Sequence, residues 1–229
     1  IGGFQTWNLV EDLYTSYIFH CNSFHTIYVN QAYTLGTAPM DIAAIYKQRG
    51  TWALDTYRLF FKKMLFQKTL TFHQELHYFE LVYAYLVSAI AVPLLFALSV
   101  MGLLLDVYFI ADPVAYLTLR IPSFIAVLYF YYRVSGNMLS TGQFWAGLWP
   151  VYLKALCYSF FPGKPKYRIT PKDGKTTPTI RLILPQLIFV IAAWVAVAVY
   201  ISREGFNGIL FINVFWISIM TFWFAPIIL

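Results

Sequence analysis

Three short groups of residues in this chain carry side chains that chemistry needs. Gln48-Arg49-Gly50-Thr51-Trp52 sets an amide, a guanidinium and an indole within little more than one helical turn. Glu11-Asp12 is an adjacent carboxylate pair ahead of it, and Tyr167-Arg168-Ile169-Thr170-Pro171-Lys172 is a basic, hydroxyl-bearing stretch far behind it. A carboxylate takes a proton from an attacking hydroxyl, an indole face packs on a flat ring, and cationic side chains neutralise phosphate oxygens. The combination suits a sugar or a nucleotide at a membrane surface. Each group also has a plainer reading. Acids in a first helical turn simply stabilise the helix, a Trp beside a span anchors it, and a basic loop reports topology.

The elements that must position these residues are those of a membrane protein. Of 229 residues, 60% are hydrophobic and only 11% charged, where a soluble domain is nearer a quarter charged; mean hydropathy is +0.63. The formal net charge of +6 does not point to nucleic acid, because the bases flank apolar runs and do not cover a face. Cys21 and Cys157 have no zinc or disulfide spacing and are expected to be free thiols. His73-Gln74-Glu75-Leu76-His77 has its Glu in the wrong place for a His-Glu-x-x-His zinc helix.

Residues 1–41 are mixed and polar, with a helix expected over Asn8 to His20 and a short strand over Thr26-Ile27-Tyr28-Val29. Asp41 is placed to cap the next helix. That helix, over residues 42–66, mixes Ile42, Ile45, Trp52, Leu59 and Phe60 with Lys47, Arg49, Arg58, Lys62 and Lys63, so it reads as an amphipathic element in the headgroup layer, continued by residues 69–78. Spans of about 20 apolar residues are expected over Leu81 to Leu105, Val114 to Val134, Leu182 to Ile201 and Phe206 to Leu229. Arg120 and Arg133 lie near the ends of the second, where they can snorkel. Phe144 to Phe161 is a further interfacial candidate. Pro93, Pro122 and Pro185 are candidate kinks. Bases cluster in residues 47–68 and 154–181, while the two opposite loops hold only Arg203. The positive-inside rule therefore puts the start of the chain and the 162–178 loop in the cytosol of a multi-pass plasma or inner-membrane protein.

With these elements in order, the sequence resembles the C-terminal half of the bacterial cellulose synthase catalytic subunit, a processive family-2 membrane glycosyltransferase. Val10-Glu11-Asp12 stands where that family has Thr-Glu-Asp, shortly after Gly2-Gly3-Phe4, which matches its Gly-Gly-Phe. Gln48-Arg49-Gly50-Thr51-Trp52 stands where it has Gln-x-x-Arg-Trp, and Tyr167 to Lys172 where its gating loop reads Phe-x-Val-Thr-x-Lys. Each pattern alone recurs by chance; their order between these spans carries the resemblance, which covers essentially the whole chain.

The resemblance implies an α-helical membrane protein, four spans plus amphipathic interfacial helices, with the C-terminal remnant of an α/β (GT-A-like) domain at its start. The divisions are 1–41 for the remnant, 42–78 for the interfacial helices, 79–134 for two spans, 135–181 for an interfacial helix and the gating loop, and 182–229 for two more spans. Ile1-Gly2-Gly3-Phe4 reads as mid-domain, so the chain is expected to be a piece of a longer one. Asp12 is implied as general base with Glu11 in support, and Trp52, Gln48 and Arg49 as the acceptor site. Tyr167, Ile169, Thr170 and Lys172 are implied to close over the donor diphosphate. Mg²⁺ is implied with ligands upstream and none in this chain. The implied partners are UDP-glucose, a growing β-1,4-glucan, the bilayer and an accessory export subunit. Another polymer (hyaluronan, chitin, mannan or a β-1,3-glucan) is the alternative within the family; a non-catalytic four-span transporter or assembly protein is the alternative outside it. One residue departs from the pattern: the family's Arg before the Trp is Thr51, which leaves Arg49 and Arg58 as the nearest guanidinium groups.

Overall fold

Helix starts in this chain are set by side chains that satisfy otherwise orphaned backbone N–H groups. In the computed structural model, which describes residues 3, 8–39, 41–66, 69–107, 112–136, 138–162 and 180–228, helix α1 spans Glu11–Cys21 and α2 spans Ile42–Lys62. Asp41 caps α2, its Oδ1 accepting from the Ala44 amide at 2.6 Å. After a 3-10 turn at Met64–Phe66, α3 (Phe72–Leu86) begins at a reciprocal capping box: the Gln74 amide donates to Thr71 Oγ1 at 3.4 Å and the Thr71 amide to Gln74 Oε1 at 2.9 Å. A π segment at Val87–Ala91 leads into α4 (Val92–Leu105). Pro93 has no N–H for the preceding turn, and the wider π turn absorbs that loss. Residues 72–105 thus form one helical run, about 50 Å long at roughly 1.5 Å per residue. Residues 69–78, expected as a separate interfacial piece, mostly belong to its first turns, because nothing in the sequence breaks the helix there.

The Asp112 carboxylate accepts from the Val114 and Ala115 amides and starts α5 (Pro113–Ser135), with Pro113 in the first turn where a missing N–H costs nothing. The interfacial stretch expected over Phe144 to Phe161 is two helices, α6 (Met138–Gly147) and α7 (Trp149–Ser159). Pro150 explains the break: it has no N–H to donate to the turn before it, and it stands in the first turn of α7 where none is needed. The chain ends in α8 (Ile180–Glu204) and α9 (Gly208–Ile228). Four helical stretches, Phe72–Leu105, Pro113–Val134, Ile180–Glu204 and Gly208–Ile228, are long and apolar enough to cross a membrane, which makes this a multi-pass membrane protein.

No strand exists among the described residues. Thr26–Val29, expected as a strand, carries no ladder, and Ile27 and Tyr28 are 88% and 89% exposed. A β-rich segment forms a strand only against a partner, and the described residues contain none. The α/β remnant is therefore not seen.

The chain divides into two compact units, Ile1–Ala89 with Val151–Thr179, and Ile90–Pro150 with Ile180–Leu229. The first has an aromatic core of Tyr14, Tyr17, Tyr57, Tyr78, Tyr85 and Tyr152. In the second, α9 packs on α4, α6 and α8; Phe96 stacks on Phe224 with ring centres 5.7 Å apart. Gln186, fully buried, donates to the Gly147 carbonyl at 2.7 Å, taking the last carbonyl of α6. Arg203 near the end of α8 pairs with Asp106, the residue after α4, at 2.7 Å.

Gly147 marks the closest approach of α6 to α9: a Cβ there would lie 2.5 Å from Ile227 Cγ1. Gly147→Ala is expected to cost about 1–3 kcal/mol by overpacking, read as a lower unfolding temperature in detergent, and Ile227→Ala in the same chain should recover part of it.

Candidate functional site

The interior of the first unit holds a buried carboxylate, Asp55, that the sequence reading did not single out. Asp55 lies on α2 with a side chain 1% exposed. Its Oδ2 accepts from the Leu9 amide at 2.9 Å, and its Oδ1 faces Arg58 Nη1 at 3.4 Å. Asn8, 2% exposed, donates from Nδ2 to the Asp55 carbonyl at 2.9 Å and accepts from the Val10 amide at 2.8 Å. The residues just ahead of α1 are thereby tied to the middle of α2. Burial pushes the Asp55 carboxyl up from its ordinary value, opposed by the Leu9 N–H and then by Arg58.

Glu11 and Asp12 form the exposed first turn of α1, immediately after that tie. Asp12 Oδ1 accepts from the Leu13 amide at 2.7 Å, so part of its role is to hold the helix start. Trp52 sits one turn before Asp55 on α2 and is 38% exposed. The Arg49 guanidinium lies over the indole, 4.9 Å from the ring centre, a cation–π contact that fixes the plane of the ring. Gln48 is half-buried on the same turn. Gln48, Arg49 and Trp52 thus share successive positions on α2, and Glu11 and Asp12 follow directly on the segment that is tied to Asp55. Tyr167, Ile169, Thr170 and Lys172 lie outside the described residues.

Thr51 and Arg58 are both engaged within the protein. Thr51 Oγ1 donates to the Lys47 carbonyl at 2.9 Å, and Arg58 is 7% exposed, turned inward to Asp55. The second half of α2 is buried on all sides, from Asp55 to Phe60. Its tight seat depends on Gly50, where a Cβ would meet Val151 Cγ1 of α7 at 3.1 Å.

The core of the same unit holds a cluster of three buried tyrosines. The Tyr57 and Tyr85 rings are 6.0 Å apart and those of Tyr85 and Tyr152 5.1 Å. Burial raises the Tyr57 and Tyr152 hydroxyls well above the usual phenol range, and Arg49 partly opposes this at Tyr152. The Tyr57 hydroxyl has no hydrogen-bond partner among the described residues. An opposite-charge pair three residues apart inside an apolar run, Asp55 and Arg58, was the one signal in the sequence that could have revealed this interior.

Among the described residues no group of three or more His, Cys, Asp or Glu is placed to hold a metal ion, and both Asp55 oxygens are engaged. These residues do not fit a Mg²⁺ site. No protein-family model matches the chain, and none of the curated proteins matches it in sequence.

Removing Asp55 strands a buried guanidinium and the Leu9 amide, so Asp55→Ala is expected to cost about 3–5 kcal/mol. Asp55→Ala with Arg58→Met should recover most of it, measured by denaturant or thermal unfolding. The folded carboxyl holds its proton to higher pH than the unfolded one, so Asp55's contribution to stability is greatest below the ordinary value of 3.8 and falls as pH rises through the folded value. Asp55→Asn should flatten that slope.

Proposed function

We propose that this chain is the C-terminal part of a processive, inverting, membrane-embedded glycosyltransferase of the cellulose-synthase type, which adds glucose from UDP-glucose to a β-1,4-glucan and passes the polymer across the membrane. The observation that carries the reading is the Asp55 clamp. It ties the segment just ahead of the exposed carboxylate pair Glu11-Asp12 to α2 one turn after Trp52, whose exposed indole carries the Arg49 guanidinium, and this linkage supports the reading the motifs suggest.

In this reading the terminal sugar of the acceptor rests on Trp52, with Gln48 and Arg49 beside it. Its hydroxyl gives a proton to Asp12 while the oxygen bonds to the anomeric carbon of the donor. The bond from that carbon to the diphosphate breaks, UDP leaves with the electron pair, and configuration inverts. Tyr167, Ile169, Thr170 and Lys172 serve as a lid that excludes water during transfer. Mg²⁺ belongs to residues upstream. The basic segments, and with them the catalytic junction, face the cytosol. The α/β remnant completes itself against upstream strands; the apolar side chains at Ile27, Tyr28 and Leu35, the last 98% exposed, are the kind of surface such strands cover.

A second reading draws on Thr51. With its hydroxyl on a backbone carbonyl and Arg58 held by Asp55, neither supplies the guanidinium fork that a departing diphosphate needs. This favours a four-span homologue without turnover, acting in assembly or transport.

Membranes containing the full-length protein, given labelled UDP-glucose, UDP-N-acetylglucosamine or GDP-mannose with Mg²⁺, separate these readings. Polymer from UDP-glucose that an endo-β-1,4-glucanase digests is the expected result. Asp12→Asn should lower its formation by about 10²–10⁴-fold, and Trp52→Ala should shorten the product. Polymer from another donor keeps the mechanism and changes the product, whereas none from any donor leaves the second reading.

A further inference from the structure

Helices α4, α5 and α9 of the second unit line an open-sided cavity of about 350 Å³, within the usual range for small-ligand pockets. Its walls are largely apolar, formed by side chains such as Leu95, Leu98, Ile212 and Met220. Most polar groups that reach it are already engaged within the protein. The Ser99 hydroxyl donates to the Leu95 carbonyl at 3.2 Å, the Asn213 amide to the Ile209 carbonyl at 3.0 Å, and the Trp216 indole N–H to the Tyr116 hydroxyl at 3.1 Å.

Arg120 is the exception. It lines the cavity and is exposed, and it makes no ion pair or hydrogen bond among the described residues. The carboxylates at this end of the unit are occupied elsewhere or stand apart: Asp106 holds Arg203, Asp112 caps α5, and Glu204 is exposed without a bond to Arg120. Arg120 lies roughly 10 Å along α5 from Pro113, at about 1.5 Å per residue. A guanidinium does not lose its charge in a protein, and a cation at that depth of a spanning helix is stabilised by an anion held within its reach. Its Cβ tilts toward the helix N-terminus, so the stem can carry the charge toward the nearer headgroup layer.

We propose that this cavity binds one anionic glycerophospholipid, its phosphate on the Arg120 guanidinium and the Tyr116 hydroxyl and an acyl chain along the leucine, isoleucine and methionine wall. A glycan would require many uncommitted hydrogen-bonding groups, and the cavity has few; a lipid requires one strong anion contact and a long apolar surface. This site is independent of any glycosyl transfer.

The test uses the full-length protein in phosphatidylcholine vesicles doped with spin-labelled phosphatidylglycerol, read as the motionally restricted fraction. Arg120→Gln is expected to weaken the preference for phosphatidylglycerol about tenfold, a factor a single charged contact supplies, while Arg120→Lys retains most of it. Leu95→Trp, which fills the cavity and leaves the charge in place, should also release the label. A wild-type protein with no preference for phosphatidylglycerol, or an Arg120→Gln variant that binds it equally well, would overturn the proposal. So would displacement of the label by a soluble β-glucan oligosaccharide, which would make the cavity a glycan subsite.

Discussion

A carboxylate removed from water must be given donors, and at Asp55 one comes from the next turn of the helix and the other from 46 residues away. The Leu9 amide and the Arg58 guanidinium each take one oxygen, and Asn8 closes the arrangement by bonding the Asp55 carbonyl. The start of α1 therefore cannot slide along α2 without stranding a buried charge, which is far more costly than losing an ordinary hydrogen bond. The places of Glu11 and Asp12 follow from that clamp, as does the turn of α2 that presents Trp52. Because the same clamp spends Arg58, it also decides that this guanidinium is not available to a ligand.

The second unit obeys a different constraint, in keeping with helices that cross a membrane: polar side chains must be satisfied within the protein. Ser99, Thr118, Ser123 and Thr221 return their hydroxyls to the carbonyl one turn back. Trp194 and Trp216 donate across helices to Thr221 and Tyr116. Gly102 and Gly147 let α9 approach, Gly102 facing Asn213 and Gly147 facing Ile227. Against this background of satisfied groups Arg120 stands out, because its charge is answered by nothing on the same helices.

The order of helices was largely legible in the chain. Apolar runs of spanning length, the cap at Asp41 and the breaks at Gly and Pro are local signals, set by contacts within four or five residues. The boundaries that shifted did so for local reasons of another kind: a π turn that absorbed Pro93, and Pro150 dividing the expected interfacial helix in two. The strand expected at Thr26–Val29 failed differently. Its β-branched and aromatic composition was read correctly, but pairing is a property of two segments.

The candidate site was legible as a set of residue types and not as an arrangement. Sequence alone determined that this is a multi-pass membrane protein, that acids open α1, and that an Arg and a Trp lie three apart on α2, since helical periodicity makes such neighbours meet. Only the tertiary structure decided that Arg58 turns inward to a buried Asp55 and that the residues just ahead of the acid pair are tied to the middle of α2. These outcomes depend on Asn8 and Leu9 meeting Asp55 across 46 or 47 residues. No pattern of spacing encodes such a contact, because its free energy lies in the burial and pairing of groups that meet only once the chain is folded.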